Sequence, residues 1–130
     1  MSISLSGLMA SSRRADTAAQ NIANAGTSGA LSPEVPGAAP YSARITTQTA
    51  LAGGGVRAET AIRSPGFVPA YDPGSPFSNE DGYVGVPNVD LGEEIVNLKI
   101  AEFTYKANVK TMEAAQAMSK ELLSAFDEKI

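Results

Sequence analysis

The sequence predicts a mainly α protein: long N- and C-terminal helices forming an antiparallel, coiled-coil-like pair, with a small irregular or β insert between them. Two observations lead to this fold class. Each end of the chain repeats apolar residues every three or four positions, and the middle holds every proline of the chain. The predicted organisation is therefore an N-terminal helix in residues 1–26, an insert in residues 27–88 and a C-terminal helix in residues 89–130.

The C-terminal segment is predicted to be one helix from Asp90 to Ile130. Asp90 suits the N-cap position, and Glu93 follows three residues later, as in a capping box. The predicted seam alternates by four and three residues, as in a coiled coil, through Leu91, Ile95, Leu98, Glu102, Tyr105, Val109, Met112, Gln116, Ser119, Leu123, Phe126 and Ile130. About forty residues at 1.5 Å each span about 60 Å. A compact domain of this size has a radius of gyration of about 14 Å, so about two-thirds of such a rod needs cover from other molecules.

A second row of residues runs beside this seam, through Val96, Ile100, Phe103, Ala107, Lys110, Ala114 and Ala117. One interpretation is a single partner packed on a broad apolar face. The other is contact on two sides, as in staggered helical layers. Polar interruptions in the seam fit both, since they are either tolerated or fix the register.

The N-terminal helix is predicted from Ser2 to Ala25, followed by Gly26 in the left-handed conformation that often ends a helix. Its seam consists mostly of small residues: Leu5, Leu8, Ser12, Ala15, Ala19 and Ile22. At about 36 Å this helix is too short to cover its partner. The rest of the C-terminal seam must meet neighbours, and heterologous contacts of that kind build rings or filaments.

The insert is predicted to form a small β-lobe that orders on assembly. Strands are expected at Tyr41 to Thr49 and at Val56 to Ile62, where apolar and polar residues alternate. The run Gly53-Gly54-Gly55 would be the hairpin loop, and Thr27 to Pro40 is expected to be a flexible connection.

Composition excludes several classes of function. The chain has no cysteine and no histidine, which removes thiolate and imidazole catalysis and most zinc sites, and Glu93 and Glu94 are adjacent and do not face each other on a helix. We therefore expect no enzyme activity and no cofactor. A net charge of −4 argues against nucleic acid as a partner. No apolar run approaches the roughly 20 residues of a membrane span, and the N-terminus lacks signal-peptide features.

Specific motifs then resemble a known family, the proximal rod proteins of the bacterial flagellar basal body, within the flagellar axial rod and hook proteins. The motifs are Tyr71-Asp72-Pro73-Gly74-Ser75-Pro76, Gly82-Tyr83-Val84-Gly85-Val86-Pro87-Asn88-Val89-Asp90, Glu94-Ile95-Val96-Asn97 and Tyr105-Lys106-Ala107-Asn108. The stretch from Ala18 to Thr27 resembles the N-terminal signature of axial proteins in general. The sequence departs from the family pattern at Ala39 to Arg44 and at Ser75 to Ser78.

The resemblance implies a structural subunit of the flagellar rod that assembles helically in the periplasm with copies of itself and with other rod proteins. It implies that the terminal helices are the assembly core and form the inner tube around the export channel. It also implies that the rod transmits torque from motor to hook, and that subunits leave through the flagellar type III export apparatus without processing or membrane insertion.

The seams and the resemblance together predict residues of the subunit interface. They are Leu5, Leu8, Ala15, Ala19, Asn21, Ile22, Asn24, Asn88, Ile95, Val96, Asn97, Leu98, Phe103, Tyr105, Asn108, Val109, Met112, Leu123 and Phe126. The asparagine amides are expected either to bond to backbones of adjacent subunits or to be ordinary surface and helix-end groups. Arg13 and Arg14 are either solvated or paired with acidic groups of a neighbouring C-terminal helix.

Two other functions compete with the rod subunit. One is another axial protein, such as a distal rod or adaptor subunit, against which the motif from Gly82 to Asp90 argues. The other is a soluble coiled-coil module with a cytoplasmic partner.

Overall fold

The structure is a computed structural model that describes residues 2–32 and 37–127. The element order is α1 (Ser2–Asn24), β1 (Arg44–Ala50), β2 (Val56–Ile62), β3 (Phe67–Tyr71), β4 (Tyr83–Pro87) and α2 (Leu91–Asp127). The strands form two separate two-stranded antiparallel sheets. Two terminal helices with a small β insert are therefore confirmed. The predicted continuation of the last helix to Ile130 lies outside the described residues.

Helix α2 has 37 residues and is about 55 Å long at 1.5 Å per residue. Its start is capped as predicted, because the backbone N–H of Glu93 donates to the Asp90 carboxylate at 3.0 Å. The carboxylate of Glu93, however, accepts a hydrogen bond from Arg63 at 2.7 Å instead of reaching back to the cap. This ion pair ties the start of α2 to the insert.

Helix α1 lies against the first two-thirds of α2. Paired contacts give the relative direction of the helices: Asn21 bonds to Glu94, Ser11 bonds to Thr104, and Gly7 lies against Asn108. In these contacts the residue numbers rise along α1 as they fall along α2, so the two helices run in opposite directions.

The end of α1 differs from the prediction. Gly26 is not among the glycines with positive φ, which are Gly37, Gly54, Gly55 and Gly82. Instead, the carbonyl of Asn24 accepts both the backbone N–H and the hydroxyl of Thr27, at 3.0 and 2.7 Å. These bonds satisfy a carbonyl that the end of the helix would otherwise leave free.

The first hairpin matches the predicted strands closely. β2 has the predicted bounds, whereas β1 begins at Arg44 rather than at Tyr41. The pairing runs from Arg44 opposite Ile62 to Ala50 opposite Val56. The glycine run forms the loop, where Gly54 and Gly55 adopt positive φ.

The second hairpin is absent from the sequence prediction. β3 and β4 pair from Phe67 opposite Pro87 to Tyr71 opposite Tyr83. Pro69 lies within β3 and Pro87 is the last residue of β4. Prolines argue against strand structure, yet the outer edge of β3 has no partner strand in this two-stranded sheet, so the N–H that Pro69 lacks costs nothing there. Tyr71 and Tyr83 meet edge to face at 5.4 Å between ring centroids.

The connection between α1 and β1 is held in place where the structure describes it, so the prediction of flexibility is wrong there. The backbone groups of Gly29 and Gly85 exchange hydrogen bonds of 2.9 and 2.8 Å, and Ala30 donates to Ala38 at 2.7 Å. Pro40 is buried against Gly85. These long-range contacts anchor the connection on β4.

The core is small and made mostly of alanine. The buried apolar residues of the described chain are Ala10, Ala18, Ala43, Val84 and Ala101. Since each alanine removes little area from water, hydrophobic burial within one chain stabilises this fold only weakly.

Candidate assembly surface

The contact between the two helices is built from small and polar side chains. Ala10, Ser11 and Ala18 of α1 are buried with Ala101 of α2, and Ser11 and Thr104 join their hydroxyls at 2.9 Å. This contact lies one residue away from the predicted seam on both helices. The helices therefore approach through small groups and leave the larger apolar side chains of the seam beside the contact.

Gly7 lets α1 approach α2 near the N-terminus of the chain. A Cβ atom added there would lie 2.5 Å from the Asn108 side-chain oxygen. Because real Cβ atoms do not come this close to another heavy atom, the contact requires glycine or movement of Asn108.

Asn21 is the centre of a buried hydrogen-bond network and is fully inaccessible, with 0% exposure. Its amide nitrogen donates to the Glu94 carboxylate and to the Arg44 carbonyl, each at 2.7 Å. Its amide oxygen accepts from the Arg44 backbone N–H at 2.9 Å and from the Tyr41 hydroxyl at 3.0 Å. All these partners are in the same chain and leave Asn21 without accessible surface in the single chain, and its contact with another subunit stays a prediction.

This network joins three elements at one point. It connects the end of α1, the start of β1 and the first turn of α2. Glu94 is only 3% exposed, and a buried carboxylate without a donor would be costly. Burial raises the pKa of the Tyr41 phenol, and its hydroxyl donates to the Asn21 amide oxygen.

The hairpin of β1 and β2 covers the side of α1 that α2 leaves open. The Thr17 hydroxyl lies 2.7 Å from the Thr46 hydroxyl and 3.4 Å from that of Thr60. Towards the N-terminus, the Val56 N–H donates to the Ser6 hydroxyl at 3.1 Å. α1 is thus packed between the hairpin and α2.

A cleft of about 180 Å³ lies where the hairpin meets the start of α2. It is lined by Arg14, Arg44 and Arg63 together with Glu93 and Glu94. The hydrogen bond from Arg63 to Glu93 raises the pKa of that guanidinium. Opposite charges therefore largely balance in this cleft.

An open groove of about 410 Å³ runs along the outer side of the helix pair. α1 contributes Ser12 and Ala15, and α2 contributes Leu98, Glu102 and Tyr105. All five are positions of the seams predicted from the sequence. The two seams therefore converge on the same groove instead of packing directly on each other.

The flank of α2 that faces away from this groove is also apolar and exposed. Val96, Ile100 and Phe103 are exposed, with Phe103 at 74%. They belong to the second predicted row, so α2 presents apolar surface on two sides.

The last part of α2 extends beyond α1. Every described residue from Gln116 to Asp127 is exposed, a segment of about 18 Å at 1.5 Å per residue. We call it the α2 tail. Its large apolar side chains are Met118, Leu122, Leu123 and Phe126, and none is less than 61% exposed.

Most residues predicted for the subunit interface are accessible in the single chain. Exposed or half-buried members are Leu5, Leu8, Ala15, Ala19, Ile22, Ile95, Val96, Asn97, Leu98, Phe103, Tyr105, Val109, Met112, Leu123 and Phe126. Accessibility is required for contact with a neighbour, and these positions remain predicted interface residues.

Three further asparagines of the predicted set have partners within the chain. Their amide groups donate to backbone carbonyls: Asn24 to Gln20 at 2.8 Å, Asn88 to Pro65 at 3.0 Å and Asn108 to Thr104 at 2.8 Å. Each amide nitrogen carries a second hydrogen and each residue is partly accessible. Contact with another subunit at these positions stays a prediction.

Sequence reasoning missed the residues that hold the helices together. Glu94, Ala101 and Thr104 were not predicted as contact residues. A signal was present, because Glu94, Asn97, Ala101, Thr104 and Asn108 alternate by three and four residues like a seam. A search for apolar residues alone overlooks a stripe of small and polar ones.

The described residues contain no group of three or more acidic side chains placed to hold a metal ion. Within the same part of the chain, neither helix has a stretch long and apolar enough to cross a membrane.

Comparison with known proteins identifies the class first. Residues 1–30 match the family model described as flagella basal body rod protein, and residues 80–125 match the model of the FlgEFG C-terminal region of flagellar basal body rod proteins. Both helical ends thus match rod proteins, and the chain is a structural protein of the bacterial flagellar basal body.

Curated relatives then identify the family. The chain is 34% identical over 125 residues to the flagellar basal-body rod protein FlgC of Salmonella typhimurium, covering 92% of this chain and 90% of the relative. It is 35% identical over 126 residues to FlgC of Escherichia coli O6:H1, with the same coverage. FlgC of Bacillus subtilis is 40% identical over 68 residues, covering 52% of this chain and 45% of the relative. The chain belongs to the FlgC family of flagellar basal-body rod proteins, which are structural proteins and not enzymes.

Proposed function

We propose that the chain polymerises helically through α1 and α2, with copies of itself and with other rod proteins, to build a rod that encloses the export channel. The rod transmits torque from the motor to the hook. The subunit is exported through the flagellar type III apparatus with its N-terminus intact and assembles in the periplasm.

One observation carries this proposal: α2 buries only Glu94 and Ala101 within its own chain. Its exposed large apolar side chains are Leu91, Ile95, Val96, Leu98, Ile100, Phe103, Tyr105, Met118, Leu122, Leu123 and Phe126. A soluble monomer rarely exposes a continuous apolar surface of this length, so the helix requires neighbours.

The total accessible surface supports the same conclusion. The chain has a mass of 13.4 kDa and an accessible surface of 8861 Å². A compact monomer of that mass exposes about 6,500 Å², so this chain exposes about 2,400 Å² more. An excess of this size is about three times the roughly 800 Å² that one partner contributes to a stable protein interface.

The arrangement of stripes favours contacts on two sides of α2. The contact with α1 occupies one stripe, with coiled-coil-like spacing through Glu94, Ala101 and Asn108. Apolar rows flank this stripe on both sides and remain accessible. Residues 1–26 and 89–130 are therefore proposed as the assembly core, and residues 27–88 as an insert that supports α1.

The experiment introduces single substitutions on α2 in cells whose only copy of this chain is the variant. Val109→Asp places a charge in the seam, and Leu98→Asp is a second variant of the same kind. Both should abolish motility and rod assembly while secretion of the subunit stays detectable. A charge buried without a partner prevents packing, whereas it does not affect export.

Lys99→Asp introduces the same side chain one position from Leu98, at a residue whose side chain is 75% exposed and which lies in neither of the two predicted rows. This control should swim and assemble rods. If the Val109→Asp and Leu98→Asp strains swim normally, the assignment of the seam to a subunit contact is wrong.

A further inference from the structure

We propose that the free edge of β2 takes up one extended segment of a different protein, which adds a third strand to the β1–β2 sheet beside α1. This contact lies on the insert and is separate from the contacts proposed for α2, so it goes beyond the proposed function. It rests on that function only for the presence of the chain in the basal body.

The register of the first hairpin determines which main-chain groups of β2 point away from β1. Hydrogen-bonded and non-hydrogen-bonded residue pairs alternate along an antiparallel ladder. The Leu51 N–H donates to the Gly55 carbonyl at 3.0 Å, and counting from this bonded pair makes Gln48 and Ala58 a non-hydrogen-bonded pair. The N–H and C=O of Ala58 therefore point outwards from the sheet, at its free edge.

Contacts with α1 agree with this direction. The Val56 N–H, two residues before Ala58, leaves the sheet and donates to the Ser6 hydroxyl at 3.1 Å. The main-chain N–H and C=O of Ala58 have no hydrogen-bond partner among the described residues. β2 is seven residues long and contains no proline. An unpaired edge of this kind is a template on which another extended chain can pair.

An open space of about 690 Å³ lies between this edge and α1, and we call it the β2 edge site. Its apolar lining includes Met9 and Leu51, which are 66% and 39% exposed. α1 also contributes Arg13 and Asp16, whose opposite charges balance. A strand added at this edge would place alternate side chains in the site and the intervening ones in solvent. The matching segment is therefore extended, with apolar residues at every second position.

The occupant is a different protein because each strand of the described chain already has a partner. β1 pairs with β2, and β3 pairs with β4. The bridge between Gly29 and Gly85 covers the outer edge of β4. A second copy therefore offers whole hairpins and no single strand. The contact between Ser6 and Val56 closes one end of the site, which leaves room for one strand and not for the edge of a folded sheet.

Photo-crosslinking in isolated basal bodies tests this contact. The photoreactive residue p-benzoylphenylalanine replaces Met9, which lines the β2 edge site, in cells whose only copy of this chain is the variant. Irradiation should join the chain to one segment of one different protein, identified by mass spectrometry of the joined peptide.

Proline substitutions test whether the contact uses the main chain. Ala58→Pro removes the outward N–H without removing a hydrogen bond to β1, a change that edge strands tolerate, and it should lower the yield of the cross-link about tenfold. The matched control is Gln48→Pro, which removes the outward N–H directly opposite, on β1. This control should retain the cross-link. Urea unfolding of both purified variants checks that the hairpin still folds.

Hydrogen exchange measures the same contact without any substitution, and it decides the matter should the proline variants not fold. In the unmodified chain, the Ala58 N–H should exchange about tenfold more slowly in basal bodies than in the purified chain, because a strand pairs with it. The Gln48 N–H should exchange at similar rates in both.

The remaining outcomes contradict the proposal. Basal bodies that contain the chain but give no cross-link from Met9, a cross-link to a second copy, or a yield that Ala58→Pro leaves unchanged would overturn it and leave the proposed function intact. Unchanged exchange of the Ala58 N–H on assembly has the same consequence. If even the unmodified chain is absent from isolated basal bodies, the proposed function itself fails, and this contact fails with it.

Discussion

The two long helices of this chain differ in how much of their surface the rest of the chain covers. α1 packs between α2 on one side and the β1–β2 hairpin on the other, and its buried residues are Ala10, Ser11, Thr17, Ala18 and Asn21, although Ile3, Leu5 and Met9 remain exposed. α2 is covered on a single stripe and buries only Glu94 and Ala101. The enclosed contacts use small and polar groups, whereas the open flanks of α2 carry the large apolar ones.

This difference separates two tasks within one short sequence. Hydrogen bonds and close approach specify how the chain folds on itself, because they depend on geometry more than on buried area. In the proposed assembly, the large apolar side chains remain for contacts between subunits, where their area removed from water stabilises the assembly. Substitutions in the enclosed contacts should therefore change the stability of the single chain, and substitutions on the open flanks should change assembly.

The largest effect is expected at Asn21. Asn21→Ala removes four hydrogen bonds and leaves the buried Glu94 carboxylate without its donor. We expect the free energy of unfolding to fall by about 3 kcal/mol, or cooperative unfolding to be lost. Urea unfolding of the purified chain, followed by far-ultraviolet circular dichroism, measures this change.

Asn24→Ala is the matched control within the same sequence motif. The Asn24 side chain makes one hydrogen bond, to the Gln20 carbonyl within its own helix turn, and its loss should cost less than about 1 kcal/mol. Equal effects of the two substitutions would mean that the network around Asn21 does not organise the enclosed side.

A smaller effect is expected where the connection after α1 crosses β4. Gly29→Ala would place a Cβ atom 2.6 Å from the Ala39 backbone carbon, so main chain must move. We expect a loss of about 2 kcal/mol in the free energy of unfolding, measured by the same urea titration. Gly26→Ala is the control, since a Cβ atom there meets nothing within 4 Å. A neutral Gly29→Ala variant would show that this connection is not anchored as described.

The sequence predicts the helices and the first hairpin well because those elements are local. The bounds of β2 follow from alternation, and the start of α2 follows from the Asp90 cap. β3 and β4 escaped prediction because Pro69 interrupts the pattern and their place depends on the distant bridge between Gly29 and Gly85. No local signal reports a contact between residues so far apart in the chain.

The sequence predicts the accessible apolar residues of the assembly surface but not the contact between α1 and α2. Apolar periodicity correctly selects accessible residues such as Leu98 and Phe126, since water-exposed apolar groups are what a subunit interface requires. Apolar periodicity places the contact between α1 and α2 one residue away from its observed position. That contact uses Thr104 and Ala101, which do not stand out in a hydrophobicity pattern. Residue type also does not report that Asn21 is buried within its own chain.

A still smaller effect on the single chain is expected on the open flank. Phe103 is exposed, so Phe103→Ser should change the free energy of unfolding by less than about 0.5 kcal/mol. Incorporation into rods should nevertheless fall, as scored by recovery of the chain with isolated basal bodies. Ala101 lies two residues away and faces α1. Ala101→Leu should therefore lower the free energy of unfolding of the single chain by about 1–3 kcal/mol. A Phe103→Ser monomer with a clearly lower free energy of unfolding would contradict the proposed separation between the enclosed contacts and the open flanks.

The smallest effect concerns the charges at the rim of the groove. Hydrogen bonds from Lys106 at 2.6 Å and Lys99 at 3.3 Å hold the pKa of the Glu102 carboxyl below its ordinary value of 4.5. A carboxyl with a lowered pKa contributes stability above its ordinary pKa, and that contribution is lost as the pH falls through the folded value. Glu102→Gln should therefore have a slightly lower urea midpoint than the unmodified chain at neutral pH, and the midpoints should converge in acid. Because Glu102 is exposed, added salt should narrow the same difference. A gap that persists in both acid and salt would have to come from packing in the enclosed contact and not from these ion pairs.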